Sequence, residues 1–396
     1  MNSIEFATSL KPSLSTLDKY LSVRSYTMSL IEGLSPEDMV PQPSVFASPV
    51  KWHIAHTTWF FEQMILLKYV EGYKLFDESY NYLFNSYYNS LGQRIERGQR
   101  GLITKPDVDT VLEYRTYVDH HIEELLDQVD TPELEELVVL GINHEQQHQE
   151  LLLTDLKYTL SHNPIYPVYN ASFNQKVNQE KKSWTIYEED IYHIGHEGIG
   201  FSYDNEHHRH KVYLESFAIS KALVTNEEYI AFMNAGGYED AAVWLDEGWA
   251  WKNANNITKP LYWVKDGKQW KHFSLSGLKD IDMSAAVCHI SHFEAYAYAM
   301  WSGHRLPTEF EWEVASSSFN WGTRWEWTNS AYLPYPRYKI VEGAVGEYNG
   351  KFMSNQMVLR GASIATSPDH SRNTYRNFFP SETRWQFSGI RIAKDI

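Results

Sequence analysis

"PELEELVVLGINHEQQHQELLLTDLKYTL", residues 132–160, decides how the amino-terminal half of the chain folds. Leu and Val recur every three or four positions from Leu134 to Leu156, the period of a helix with a buried face. The pattern runs on through two histidines. His144 and His148 stand four apart, so on a helix they share one face and can grip a single ion. "HEQQH" also spells H-E-x-x-H, the zinc-peptidase signature in which the Glu is the general base. The rest of this helix is strongly apolar, which points the histidine face inward, and a buried pair needs partners. Spacing alone leaves two choices, a metal or hydrogen bonds within the core.

Two further stretches share the helical grammar. "SPVKWHIAHTTWFFEQMILLKYV", residues 48–70, opens on Ser-Pro and is apolar around the whole helix. "TKPDVDTVLEYRTYVDHHIEELLDQV", residues 104–129, repeats apolar positions at helical spacing. Helices of this kind predict a four-helix bundle, and bundle interiors are where facing helices assemble metal sites. The first of these stretches offers His53 and His56 as further ligands, with His56 one turn after Trp52 among interior positions. Between them runs "FNSYYNSLGQRIERGQRGLITKP", residues 84–106, a long Gly-, Arg- and Tyr-rich loop of the kind that carries function. The zinc-peptidase reading lacks its third ligand: position 151 is Leu, position 154 is Thr, and Glu150 and Asp155 lie too close for a second helix.

Composition limits the partners. The chain has 396 residues, 35 basic against 51 acidic, a formal charge of −16. That balance argues against nucleic acid or an anionic membrane as partner. No run approaches the ~20 apolar residues of a membrane span, and the first twenty residues do not read as a signal peptide. A single cysteine, Cys288, fits a reducing cytoplasm and reads as core. Thiol chemistry here would therefore use a thiol brought by the substrate. His207, His208 and His210 read as a solvated loop, and His120 and His121, being adjacent, as helix surface.

After residue 165 the grammar changes. Residues 166–184 are polar and carry Pro and Asn, a linker by composition. From 185 to 396 short aromatic and β-branched runs alternate with Gly, Asn, Asp and Pro. Two helices stand out, "TNEEYIAFMNAGG" (225–237) and "SHFEAYAYAMWSG" (291–303), both ending in Gly, and Thr225 with Glu228 forms a capping box. The expected class is α+β: a helical bundle over residues 1–165, then a loop-rich mixed domain.

Several stretches together resemble a known family. "SPVKWHIAHTTWFFE", "FNSYYN" and "HEQQHQELLLTDLKY" look like the DinB-like helical domain of the ergothioneine-biosynthesis sulfoxide synthases. "GFSYDNEHHRHKV", "SGHRLPTEFEWEVA", "NQMVLRGAS" and "YRNFFPSETRWQFSGIRIA" look like the formylglycine-generating-enzyme fold, a variant of the C-type lectin fold. The resemblance spans nearly the whole chain and is shared with ovothiol- and selenoneine-type relatives.

The resemblance implies non-haem Fe(II) held by His56, His144 and His148, with His53 packing or hydrogen-bonding nearby. It implies coupling of cysteine or γ-glutamylcysteine to imidazole C2 of hercynine (N-α-trimethylhistidine) at the expense of O2, giving a sulfoxide. A three-histidine site carries no ligand charge, unlike the two-histidine-one-carboxylate oxygenases, so a substrate thiolate would supply it. By the same resemblance Gln147 hydrogen-bonds the betaine, and Trp385, Gln386 and Phe387 surround its trimethylammonium group, a job that suits aromatic faces. Two of Arg94, Arg97 and Arg100 would anchor the thiol substrate's carboxylate. Tyr87 and Tyr88 are the expected proton donors, with Tyr332 or Tyr375 as substitutes from the second domain. Glu145 is then no hydrolytic base. The rival readings are a zinc hydrolase or thiol transferase on the same three histidines, and a non-catalytic small-molecule binder on a lectin-like fold.

Overall fold

The computed structural model describes residues 14–86, 88, 90, 92–173, 180–267, 269–340 and 349–396. Four long helices build the first half: α1 (Thr16–Ile31), α2 (Val50–Phe61), α3 (Val108–Gln128) and α4 (Pro132–Ser161). Each begins on a local signal. Ser15 and Asp18 form a capping box on α1, Pro49 leads into α2, and the Asp107 and Thr131 side chains cap α3 and α4. Helix α2 is buried at all twelve positions, as its continuous apolar pattern requires. It runs on through a π-helical turn, Glu62–Leu66, before ending at Tyr69. No helix is long and apolar enough among the described residues to cross a membrane.

Helix α4 joins everything else. At 30 residues it is about 45 Å long, and its sides meet different neighbours. Glu145 points toward α1 and α3, where its carboxylate accepts from Arg24 at 2.8 Å, Arg115 at 2.8 Å and Thr27 at 2.5 Å. Burial alone would raise its pKa, but the two guanidiniums outweigh that and hold it at about 2. The glutamate of "HEQQH" is thus a fixed, paired anion facing away from the histidines. The zinc-peptidase role, which needs a free base beside the metal, is closed to it.

The second half is strand-and-loop. A four-stranded sheet runs in the order Asn377–Phe379, Met357–Ala362, Arg324–Ala331 and Ser388–Gly389, antiparallel except for the last pair. A three-stranded sheet brings the chain end beside the start of this half: Trp184–Tyr187 and Ala393–Asp395 flank Phe217–Ser220. The helices Asn226–Asn234 and His292–Trp301 form where their capping boxes predict. Two further helices, Asp246–Ala254 and Glu309–Ala315, were not anticipated, although Thr308 and Glu311 make a capping box for the latter. Buried ion pairs brace the loops here: Arg376 forks onto Glu309 at 2.8 and 2.9 Å, and Arg391 onto Glu326 at 2.6 and 2.8 Å.

The two halves share one core. Cys288, Phe273 and Phe387 of the second half belong to the same buried cluster as the bundle's Trp52, Trp59 and Leu156. The polar seam is equally specific. Glu150 of α4 accepts from Trp325 Nε1 at 2.6 Å, Ser363 at 2.7 Å and Thr366 at 2.7 Å.

Removing Glu145 takes from two buried guanidiniums the buried carboxylate they share, leaving only Asp119 at their edge, a change that costs roughly 3–5 kcal/mol. Glu145→Ala is therefore expected to lower unfolding stability by that amount in urea titrations at neutral pH, whether or not metal is present.

Candidate metal centre

Helices α2 and α4 face each other with their histidines between them. His56, His144 and His148 converge so that one nitrogen from each lies within 4.8 Å of the others, and all three are buried. Ring centroids are 4.6 Å apart for His56 and His148, 4.7 Å for His144 and His148, and 4.9 Å for His56 and His144. Burial is the main force on their protonation. It pushes His144 down to about 4, and His56 and His148 well below the ordinary imidazole value, with the neighbouring histidines adding to the drop. Three neutral imidazoles result, the state a metal requires of them.

The hydrogen bonds around them fix which nitrogen is offered. His56 Nδ1 meets the Phe84 carbonyl oxygen at 2.6 Å, and since that oxygen only accepts, Nδ1 carries the proton. The lone pair is then on Nε2, which is buried and has no hydrogen-bond partner. An orphaned acceptor of this kind, beside two more imidazoles, is what a divalent metal site looks like when its donors are preformed. The residues fit a metal.

Beside the histidines lies a cavity of about 670 Å³ between the halves. His148, Gln147, Arg97, Tyr375, Trp385 and Gln386 all line it. Gln147 donates to Tyr375 Oη at 2.6 Å. The Trp385 ring stacks on Phe46 at 3.7 Å, and Trp251 and Tyr158 extend the aromatic wall. Gln386 is buried with both amide atoms unpaired, so the wall contains a donor and an acceptor with no protein partner.

The other expected site residues take different places. Phe387 is turned out of the cavity: its ring packs 4.7 Å from His289 and lies under the Lys157 ammonium at 4.8 Å. Residues 385–386 form a bend that turns Trp385 and Gln386 to the cavity and leaves Phe387 on the other side. Among the arginines, Arg97 is at the cavity and donates to the Phe46 carbonyl at 2.6 Å. Arg100 is buried over the Trp52 ring at 3.4 Å and donates to Ser48 and Ser86, both at 2.9 Å. Trp52 in turn stacks on His56 at 4.5 Å, so Arg100 is two layers from the metal centre. Arg94 donates to the Ser86 carbonyl and braces the loop. Tyr88 is buried, its ring 5.5 Å from Trp59; Tyr87 lies outside the described residues. Tyr332 stacks on Phe378 at 4.0 Å and accepts from Asn205 at 2.8 Å.

This geometry defines a class: a three-histidine cluster fit for a metal in a helical bundle, beside a cavity walled by a second domain. Comparison with known proteins agrees. The DinB superfamily matches residues 20–152, and the Sulfatase-modifying factor enzyme 1-like domain matches residues 177–324. The chain is 27% identical to the hercynine oxygenase of Mycolicibacterium smegmatis over 96% of its own length and 98% of the relative's. It is 30% identical to the hercynine oxygenase of Mycobacterium tuberculosis over 49% of this chain and 56% of that one. A formylglycine-generating enzyme from Streptomyces coelicolor matches 33% of the chain at 30% identity, covering 45% of that enzyme. These matches support the ergothioneine-biosynthesis sulfoxide synthase family expected from the sequence: both domain types match in the expected order, and the similarity to a hercynine oxygenase runs over nearly the whole chain.

Each histidine supplies one donor, so loss of any one leaves a two-coordinate remnant. The His56→Ala, His144→Ala and His148→Ala proteins are each expected to lose stoichiometric metal, as measured by anaerobic titration with Fe(II) or Co(II).

Proposed function

We propose that this protein is an iron(II)-dependent oxidative enzyme that joins a cysteine-type thiol to imidazole C2 of hercynine and leaves the sulfur as a sulfoxide. The reaction balances as thiol plus C2–H plus O2, giving the S-oxide and one water. The observation that carries the reading is the cavity beside His148, which presents an aromatic wall, unpaired amide groups and arginine to the same space. Ferrous iron, held by His56, His144 and His148, supplies the redox chemistry that makes dioxygen reactive.

The chain's own residues handle binding and protons. A quaternary ammonium cannot donate a hydrogen bond and is held by aromatic faces, which Trp385, Trp251 and Tyr158 offer. Gln147, one residue before the ligand His148 and at the cavity wall, is suited to the betaine. Of the three arginines of the loop, Arg97 lines the cavity and suits the carboxylate of an amino acid or γ-glutamyl thiol, and Arg100, buried against Trp52, is the candidate for its partner. Tyr375 accepts from Gln147, so its own hydroxyl proton is free to point elsewhere, and burial pushes its pKa far up. It is a proton donor that does not ionise at neutral pH. This makes Tyr375 at least as good a candidate as Tyr88, whose ring is packed among Trp59 and Phe60.

The deciding experiment is anaerobic reconstitution with Fe(II), then O2 uptake and product analysis with hercynine and cysteine or γ-glutamylcysteine. Uptake coupled to sulfoxide formation is expected. Activity with Zn(II) alone would favour the hydrolase or thiol-transferase reading, for which a neutral three-imidazole site is also suited. In the same assay, replacing the catalytic tyrosine should lower C–S coupling and raise the yield of the thiol's sulfinic acid, with substrate affinity retained. Tyr375→Phe, Tyr88→Phe and Tyr87→Phe are compared for that shift, and unchanged product ratios in a variant remove its tyrosine from the role.

Charge-assisted pairs contribute about 1.5–3 kcal/mol. Arg97→Ala and Arg100→Ala are therefore expected to raise the thiol KM by about ten- to hundredfold, while KM for hercynine hardly moves. An unaltered thiol KM in both variants would dismiss the loop as the anchor.

A further inference from the structure

The hydrogen bonds of His148 lead to a residue pair that the reading above leaves without a task. His148 Nδ1 lies 2.9 Å from His53 Nδ1, and His53 Nε2 lies 3.0 Å from Asp155 Oδ2. His53 and Asp155 are both buried. The same Asp155 oxygen accepts the Ser48 backbone N–H at 2.8 Å, whereas its Oδ1 has no partner. Two imidazole nitrogens at 2.9 Å must share one proton, so the chain of bonds has a direction. If His148 offers Nε2 to the metal, its Nδ1 carries the proton and donates to His53 Nδ1. The proton of His53 is then on Nε2, where the carboxylate accepts it. The opposite arrangement would aim a carboxylate at an unprotonated nitrogen and turn a proton, in place of a lone pair, toward the metal.

We propose that Asp155 and His53 are positioning residues that hold His148 in its metal-binding tautomer and carry the Asp155 charge to the centre through two imidazoles. This rests on the three-histidine reading of the site. Metal-bound histidines commonly donate their second nitrogen to a carboxylate or carbonyl, and both kinds occur here. His56 leans on the neutral Phe84 carbonyl. His148 leans on an anion, one imidazole removed. The two ligands therefore differ in donor strength although both are neutral imidazoles, with His148 the stronger. Sequence supports the arrangement: His53 is one turn before His56, and Asp155 is seven residues after His148, so each shares a helix face with a ligand.

Two substitutions separate orientation from charge. His53→Phe removes the acceptor for His148 Nδ1 but keeps a ring in the space. Its affinity for Co(II), titrated without oxygen or substrate, should fall by about 10–100-fold, and the ligand-field spectrum of the bound Co(II) should change. Asp155→Asn keeps the geometry, since both bonds go to one oxygen and an amide oxygen can take both. It should bind Co(II) nearly as the parent does, while the Fe(III)/Fe(II) potential of the iron-loaded protein rises, because the lost charge had favoured the ferric state. Folded His53→Phe protein with parental Co(II) affinity and spectrum would overturn the proposal. Should that variant not fold, the potential of Asp155→Asn decides: a rise supports the relay and an unchanged value overturns it. Failure of the parent itself to bind Co(II) would instead sink the three-histidine site, so the two failures are distinguishable.

Discussion

Helix α4 is buried along most of its length and yet carries His144, Glu145, Gln146, His148, Gln149, Glu150, Asp155 and Lys157 among its buried positions. Each unsatisfied polar group in such a place costs about 1–3 kcal/mol, and more for a charge. That constraint dictates what packs against each side of the helix. Arg24 and Arg115 come to Glu145, while Trp325, Ser363 and Thr366 come to Glu150. Gln146 donates to the Pro368 carbonyl, and Lys157 lies 2.7 Å from His289. Burial pushes this lysine down to about 7, so at neutral pH much of it is uncharged, which eases its place in the core. The bundle and the second half are thus docked by matching polar partners on one helix, and the position of the cavity follows from that docking.

The same constraint settles which chemistry "HEQQH" supports. Two histidines at i and i+4 suit several metals, and the identity of the intervening Glu says nothing without its direction. Here the residue after His144 lies a hundred degrees around the helix and faces two arginines. A carboxylate held at about 2 by two guanidiniums is a poor base for water. The third histidine of the cluster comes from α2 and not from the sequence downstream, so the pattern shares five letters with the peptidases and little of their geometry.

Much of this was legible in the chain. The apolar period of residues 132–160 marked α4, the surrounding apolar helix marked α2, and the capping residues marked where helices begin. His144 and His148 were conspicuous as a histidine pair on an apolar helix, whereas the choice of His56 over His53 came from the family resemblance. Other features depend on distance along the chain. Helix α1 has a weak apolar pattern and was not read from it, although Ser15 and Asp18 signalled its start. The contact of Gln147 with Tyr375 spans 228 residues, and that of His53 with Asp155 spans 102, so no local pattern contains either pair. Phe387 was misplaced because a motif names neighbours in sequence, whereas the bend at residues 385–386 decides which of them meet the cavity.

The seam between the halves bears on catalysis in one more way. The cavity wall is assembled from α4, the arginine loop and the carboxy-terminal segment, so no single element positions a substrate. Arg97 bonds to Phe46, and Phe46 stacks on Trp385, which ties the expected carboxylate anchor to the expected ammonium wall through two contacts. A substrate that orders either side therefore orders the other. Under the proposed function, thiol and betaine would meet the two ends of this one wall, the arrangement from which coupled affinities arise. Such coupling suits a reaction that needs thiol and betaine present together before oxygen reacts, since a centre that holds the thiol alone oxidises the thiol. Phe46, bonded through its carbonyl to Arg97 and stacked on Trp385, is the physical link between the arginine loop and the second domain's part of the cavity wall.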